Sequence, residues 1–354
     1  MDLKKLLSTE KLNEPMNVAN PPPKTLKICN TVLSRYEINP ANFMKKAIII
    51  SAPPQSGKTV LIKSILLSLK RDTNNVIFLL LAPTNTLGTK VMPDCYWIDP
   101  GTNMDGVLQA TVSKQKERYK AYSETRDIRR FLDEINYLPP SFTTKVAKVI
   151  SQLNESGSNV HYEYAIRTSV QRLLYNWIKS KPSTHTRDYR KVYKNLFMEP
   201  QLVIIIDDLT VQVRSSSALD DLFTNYRHIG ITPLVLAHGF SMFKPTTRNN
   251  ASLYIARMPN DLLWLIDSSK VSNKTTKEFI ESHGTKIASL SEYRLFMVLD
   301  ATSSEDLQIE YLGALRMVEK KLNTQTAEMR HNLVDDAGDG VEFVKNLFDY
   351  ICKL

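Results

Sequence analysis

Short, nearly continuous apolar runs recur along this chain, each bounded by polar residues or turn formers. Ile48-Ile49-Ile50, Val76–Leu81, Leu202–Ile206, Thr232–Ala237 and Ser252–Ala256 are rich in β-branched or other large apolar residues and too brief for buried helices. Such runs mark strands covered on both faces, as in a parallel sheet. Cys95-Tyr96-Trp97-Ile98, closed by Asp99-Pro100-Gly101, predicts a shorter strand, and Tyr293–Leu299 and Leu307–Leu312 predict two more. Between the first two runs, Val60–Lys70 is built of helix formers and stops at the turn Asp72-Thr73-Asn74-Asn75. Strand, helix and strand in succession make a βαβ unit, which requires parallel pairing. The expected fold class is therefore α/β, a mainly parallel sheet flanked by helices.

From residue 104 to 200 the texture changes. Charged helical segments such as Ser113–Asn136 and Tyr162–Lys179 are separated by breaks at Pro139-Pro140, Ser156-Gly157-Ser158 and Lys181-Pro182. This reads as a largely helical, basic insertion in the α/β core. The expected organisation is an N-terminal arm and lead-in over 1–45, with a short helix and connection at 24–45. A first core part follows over 46–103, the insertion over 104–200, a second core part over 201–312 and a helical tail over 313–354, closing in a helix at Val341–Leu354.

The first apolar strand runs into Ser51-Ala52-Pro53-Pro54-Gln55-Ser56-Gly57-Lys58-Thr59 and then into the helix. A strand, an A-x-x-x-x-G-K-T loop and a helix form a P-loop in the context that motif needs, so a nucleoside triphosphate is the expected ligand. Ala52, Pro53, Pro54, Gln55, Ser56, Gly57, Lys58, Thr59 and Val60 form the cradle. Their backbone N–H groups wrap phosphate oxygens, and the helix adds its positive N-terminal end. Ala52 stands where glycine is usual. Lys58 is expected to reach the β- and γ-phosphates, and the Thr59 hydroxyl to sit on Mg²⁺. The nearest approach to a guanine-reading signature, Asn273-Lys274-Thr275-Thr276, lacks its aspartate, which favours ATP over GTP.

Leu202-Val203-Ile204-Ile205-Ile206 ends in Asp207-Asp208, the form of a Walker B element. Phosphoryl transfer needs a carboxylate there to hold Mg²⁺ opposite the P-loop hydroxyl, the role expected of Asp207. Asp208 stands where a carboxylate polarises the attacking water; it is one methylene shorter than the commoner glutamate. His238 follows the run Thr232–Ala237, at the carboxyl end of a core strand, where open α/β sheets build their sites. It is a candidate γ-phosphate sensor, or simply a histidine at a strand end. Arg227 and Arg248 are candidate arginine fingers, in cis or reaching a neighbouring subunit, with a packing or surface role as the other reading for each. The histidines lack metal-ligand spacing.

This order of elements resembles one family. The P-loop strand, the Asp-Asp strand, Arg227-His228, the strand ending in His238 and the run Lys244-Pro245-Thr246-Thr247-Arg248-Asn249-Asn250-Ala251 are similar to the genome-packaging ATPases of nucleocytoplasmic large DNA viruses. These are the poxvirus- and asfarvirus-type members of the FtsK–HerA superfamily, and chain length and composition suit an asfarvirus member. The resemblance covers roughly residues 46–103 and 200–300. It implies a ring-forming ATPase that drives duplex DNA into a virion, working with capsid or assembly proteins in the viral factory of the host cytoplasm. Two departures stand out: His238 replaces the family's usual glutamine, and the insertion lengthens the interval between P-loop and Asp207. A small-molecule or nucleoside kinase with a helical lid, and a nucleotide-binding scaffold with little turnover, are the other two readings of the same motifs.

Charge adds a partner. The chain is +9, and Met104–Pro200 holds 17 Lys and Arg against 10 Asp and Glu, so +7 lies there. Lys114, Lys116, Arg118, Lys120, Arg126, Arg129 and Arg130, with Tyr119 and Tyr122, form one basic group; Arg187, Arg190, Lys191 and Lys194 form another. Such groups fit sequence-independent contact with a DNA backbone, or alternatively a solvated helix face. No apolar run approaches the ~20 residues of a membrane span, and the N-terminus lacks the apolar region of a signal peptide. Cys29, Cys95 and Cys352 fit neither a disulfide framework nor a metal site.

Overall fold

The computed structural model describes residues 24–28, 31–72, 75–84, 95–155, 162–180, 187–269, 271–289, 295–313 and 340–353. The arm expected at 1–23, the breaks at 156–158 and 181–182, most of the tail and Cys29 lie outside these residues, as does the side chain of Cys352. Contacts divide the described chain into two units. Residues 116–200 form one; residues up to Gln115, together with those from Gln201 to Lys353, form the other.

The larger unit opens with an antiparallel pair, β1 (Thr25–Ile28) and β2 (Thr31–Ser34), followed by a single helical turn, α1 (Pro40–Phe43). A short helix and connection were the expectation for 24–45; the helix is this turn at Pro40–Phe43, and the strand pair before it was not foreseen. The period-2 pattern wins because Ile28 and Leu33 are buried while their neighbours reach solvent, and Arg35 then bridges to Tyr311. Next come β3 (Ile48–Ser51), α2 (Lys58–Asp72), β4 (Val76–Leu81), β5 (Cys95–Ile98) and α3 (Met104–Glu124). Burial pushes the free thiol of Cys95 up to about 12, so it acts as a packing group.

The smaller unit continues from α3 through α4 (Ile128–Asn136), α5 (Pro140–Glu155), α6 (Tyr162–Ser180) and α7 (Arg187–Phe197). The helical segment expected over Ser113–Asn136 consists of two helices. Asp127 adopts an extended conformation, and its carboxylate caps α4 by accepting from the Arg129 and Arg130 amides. Ile166, Val170, Leu174 and Ile178 form an i+4 row on α6, packed with Phe131, Ile135, Phe142, Tyr193 and Leu196 into the unit's own core.

The chain re-enters the larger unit as β6 (Gln201–Ile206), α8 (Thr210–Ser215), α9 (Ser217–Asn225), β7 (Ile231–Ala237), α10 (Pro245–Asn250), β8 (Leu253–Ala256), α11 (Pro259–Ser269) and α12 (Lys274–Ser289). It ends with β9 (Leu295–Asp300), β10 (Ile309–Gly313) and α13 (Gly340–Lys353). One sheet results, in the order β10-β9-β8-β3-β7-β6-β4-β5. From β8 to β5 every pair is parallel, and β9 and β10 add an antiparallel edge. The protein is thus α/β, with a mostly parallel sheet flanked by helices. Alternate strand residues feed two layers. Ile48, Ile50, Val203, Ile205, Leu234 and Leu236 pack under Leu61, Ile62, Ile65 and Leu69 of α2. Ile49, Ile204, Ile206 and Val235 face Val107, Leu222, Leu265 and Phe348 on the other side. No helix among the described residues is long and apolar enough to cross a membrane.

Candidate nucleotide site

β3 is wholly buried and paired on both sides, to β7 and to β8. Its ladder ends where the Ala52 amide donates to the Ala237 carbonyl at 3.1 Å. The chain then turns sharply. Gln55 (φ +58°) and Gly57 (φ +97°) both take left-handed backbone conformations. Glycine adopts one freely, whereas a glutamine there costs about 1 kcal/mol that a functional loop has reason to bear. Left-handed residues in such a turn are one way a loop brings backbone N–H groups together around an anion. α2 starts at Lys58, and its first amides have no acceptor within the helix.

The carboxyl ends of β3, β7 and β6 lie side by side. Ser51 pairs with Ala237 and Ile206 with Val235, so Asp207 and Asp208 come level with Leu236 and Ala237. β7 is interposed between the P-loop strand and the Asp-Asp strand, and His238 leaves its end between them. The Lys58 ammonium meets His238 Nδ1 at 3.2 Å. For that bond the ring offers its Nδ1 lone pair and carries its proton on Nε2. Burial holds the Lys58 ammonium below its ordinary lysine value, against the opposing pull of Asp207 and Asp208. The structure therefore gathers Lys58, Asp207, Asp208 and His238 into one electrostatic neighbourhood. Asp207 is buried, while Asp208 is exposed and left-handed (φ +56°), a conformation aspartate tolerates better than most residues.

The residues fit the groups the motifs imply. The Ser56 hydroxyl is shielded from solvent without a hydrogen-bond partner, an atom that a phosphate oxygen would satisfy. Thr59, on the first turn of α2, and Asp207 supply the hydroxyl and carboxylate oxygens a hard cation such as Mg²⁺ takes.

Two supporting residues carried no motif. The buried Ser51 hydroxyl donates to Asp261 Oδ2 at 2.7 Å, tying the base of the P-loop to the first turn of α11. The Arg257 amide, just past β8, donates to the Ser51 carbonyl at 3.0 Å. The signal for both was positional. Arg257 directly follows a core strand, and Asp261 sits at a helix start marked by Pro259.

The two candidate fingers are elsewhere. Arg227 lies on a 3₁₀ turn (Tyr226–Ile229) that enters β7 through Gly230 (φ +65°), at the amino end of the strands. The seven residues of β7 put roughly 20 Å between it and His238. Its Nε donates to the Tyr226 hydroxyl at 2.8 Å and its Nη2 to Ser252 Oγ at 3.1 Å; those two oxygens are 2.6 Å apart. A cavity of about 600 Å³, lined by Arg227, His228, Asn249, Asn250 and Thr302 among others, opens at this end. Arg248 is stacked on the Trp264 ring, 4.8 Å from its centroid, and burial pushes its guanidinium down from its ordinary value.

No protein-family profile matches the chain, and no curated protein sequence does. Among solved structures, the genome packaging NTPase B204 from Sulfolobus turreted icosahedral virus 2, in complex with ATP-gammaS, is similar over 79% of this chain and 98% of its own. Identity is 13% and the TM-score 0.35. EssC (ATPases 2 and 3) from Geobacillus thermodenitrificans covers 87% of this chain and 45% of its own, at 10% identity and TM-score 0.41. The pCW3 conjugation coupling protein TcpA, with ATPgS, covers 82% and 64%, at 12% and 0.35.

Proposed function

We propose that this chain is an ATP-hydrolysing motor that packages viral duplex DNA and works as a ring. The observation that carries hydrolysis is the convergence of Lys58, Asp207, Asp208 and His238 at the carboxyl ends of three adjacent parallel strands. The cradle from Ala52 to Val60 binds the phosphates, and Lys58 neutralises charge on the β- and γ-phosphates. Asp208 accepts a proton from the attacking water or orients it, and its exposed, left-handed position suits that task. Thr59 and Asp207 would hold Mg²⁺, which when bound supplies charge neutralisation across the phosphates.

The ring reading takes Arg227 as its finger. At the amino end of β7 it is too far to serve its own P-loop, so a fingertip role requires the nucleotide of a second copy. Such a contact is head-to-tail, the kind that closes into rings. The capsid or assembly partner and the viral-factory location follow only from the family resemblance.

Phosphate release with and without duplex DNA is the test. Stimulated release supports the motor, release only with a phosphate acceptor would show a kinase, and none at all a scaffold. Lys58→Ala is expected to abolish nucleotide binding. Asp208→Asn is expected to spare binding and lower turnover by at least ~10²-fold; normal hydrolysis by Asp208→Asn sinks the assignment. Mixing inactive Asp208→Asn and Arg227→Ala chains is expected to restore about a quarter of wild-type turnover, because each supplies what the other lacks.

A further inference from the structure

α3 turns one face inward, made of Met104, Val107, Leu108, Thr111 and Gln115. Met104, Val107 and Leu108 belong to the same core layer as Tyr226 and Ile231. The Thr111 hydroxyl is satisfied within the helix, where it donates to the Val107 carbonyl at 2.7 Å. Gln115 is different. It is fully buried at the end of a mostly apolar row, where leucine or methionine would fill the space as well. A buried carboxamide is costly unless it is hydrogen-bonded, so its partner matters. Its Nε2 donates to the Ile229 carbonyl at 3.0 Å.

Ile229 closes the 3₁₀ turn Tyr226–Ile229, two residues beyond Arg227. The last carbonyls of a helical turn have no donor within it. Gln115 supplies one from another element, 114 residues away along the chain. The turn is thus held at both ends. The Tyr226 hydroxyl and Ser252 Oγ, 2.6 Å apart, fix its start, Gln115 fixes its finish, and Arg227 lies between. α3 is itself anchored. About three turns before Gln115, the Asp105 carboxylate accepts from the Ser217 amide at 3.2 Å and from the hydroxyls of Ser216 and Ser217, at the junction of α8 and α9. An anchored helix presents the carboxamide to the turn at a fixed place. A charged group that must meet a phosphate on another subunit needs such fixing, because a misplacement of about 1 Å can cost on the order of 10²-fold in rate.

We propose that Gln115 is a positioning residue for Arg227: it fixes the turn that aims the guanidinium and touches no nucleotide itself. The inference rests on the finger reading of Arg227.

The test uses the full chain, phosphate release at saturating ATP with duplex DNA, and the Kd of a fluorescent ATP analogue. Gln115→Met keeps the volume and removes the donor. It is expected to lower kcat on the order of tenfold and to leave the analogue's Kd unchanged. Thr111→Val removes the other polar group of the same buried face and is expected to leave kcat unchanged. Gln115→Met/Arg227→Ala is expected to be no slower than Arg227→Ala, since without the guanidinium nothing remains to be aimed. Mixing equal amounts of Gln115→Met and Asp208→Asn chains is expected to give about a quarter of wild-type turnover, the finger of one chain serving the intact site of the other. Gln115→Asn keeps the carboxamide one methylene short of Ile229 and replaces the methionine variant should that fold poorly; the same loss is expected.

Wild-type kcat in Gln115→Met, with Arg227→Ala inactive, sinks this inference and spares the finger. A kcat loss matched by Thr111→Val, a weakened analogue Kd, or a further loss in the double variant assigns Gln115 to packing and overturns it too. Full turnover by Arg227→Ala refutes the finger reading, and this inference with it.

Discussion

Removing the His238 ring should tighten the binding of ADP. The Lys58 ammonium is engaged with His238 Nδ1 at 3.2 Å, and a β-phosphate that takes Lys58 has to compete with that contact. A hydrogen bond to a charged donor contributes about 1.5–3 kcal/mol when buried, but His238 is exposed, and screening reduces that to roughly 0.5–1 kcal/mol. At 1.4 kcal/mol per tenfold, His238→Ala should lower the Kd for ADP by about two- to fivefold. ATP should behave differently. If His238 also senses the γ-phosphate, the variant loses that contact in the complex, so the gain for ATP is smaller or reversed while turnover falls. Calorimetric titration of wild type and variant with both nucleotides separates the two effects. Unchanged or weaker ADP binding in His238→Ala would refute the competition, and identical shifts for ADP and ATP would refute the sensor.

Tyr226→Phe deletes the hydroxyl that accepts from Arg227 Nε and pairs with the buried Ser252 hydroxyl. It should cost about 1–2 kcal/mol, a fall of a few degrees in a thermal melt. Turnover should drop with nucleotide Kd unchanged; unaltered turnover argues against a fingertip role for Arg227. Asp300 supplies a pH dependence. Although burial works to raise its pKa, Lys46 at 2.7 Å and the amide and hydroxyl of Thr302 hold its carboxyl below the usual range. A depressed carboxylate gives stability that is present above the unfolded value, about 3.9, and lost as pH falls through the folded one. Asp300→Asn should therefore be destabilised by about 1–3 kcal/mol at neutral pH, and the gap to wild type should close in acid, as denaturant titrations at several pH values will report. Phe131→Ala, in the core of the helical unit, should cost that unit about 3–5 kcal/mol and weaken DNA binding while ATP-analogue binding persists.

The strands of the core were legible because each is a brief apolar run buried on both faces, and the P-loop because its residues are consecutive. Asp207-Asp208 and His238 could be placed at strand ends by counting along the chain. The strand order could not: no local pattern puts β7 between β3 and β6. For that reason the Lys58–His238 contact, spanning 180 residues, emerged only in three dimensions. Arg227 could have been assigned to the far end of the sheet from its place before β7 rather than after it. The β1–β2 pair escaped because its alternation is short and the exposed Val32 puts an apolar residue on the solvent face, beside the buried Leu33. Pro233 is a different lesson. It sits in β7, a central strand, where a missing N–H leaves one ladder position empty, and the apolar run outweighed it.

β7 also has a genetic consequence. In the head-to-tail ring proposed above its two ends would serve different nucleotides: His238 the subunit's own, and Arg227 the neighbour's. On that reading, a defect in this strand would not be confined to the chain that carries it. A folded subunit lacking both side chains would spoil its own turnover and deprive an intact neighbour of its finger. In cells making both forms, such alleles should behave as dominant, whereas loss of Lys58 alone would leave the neighbour's finger in place.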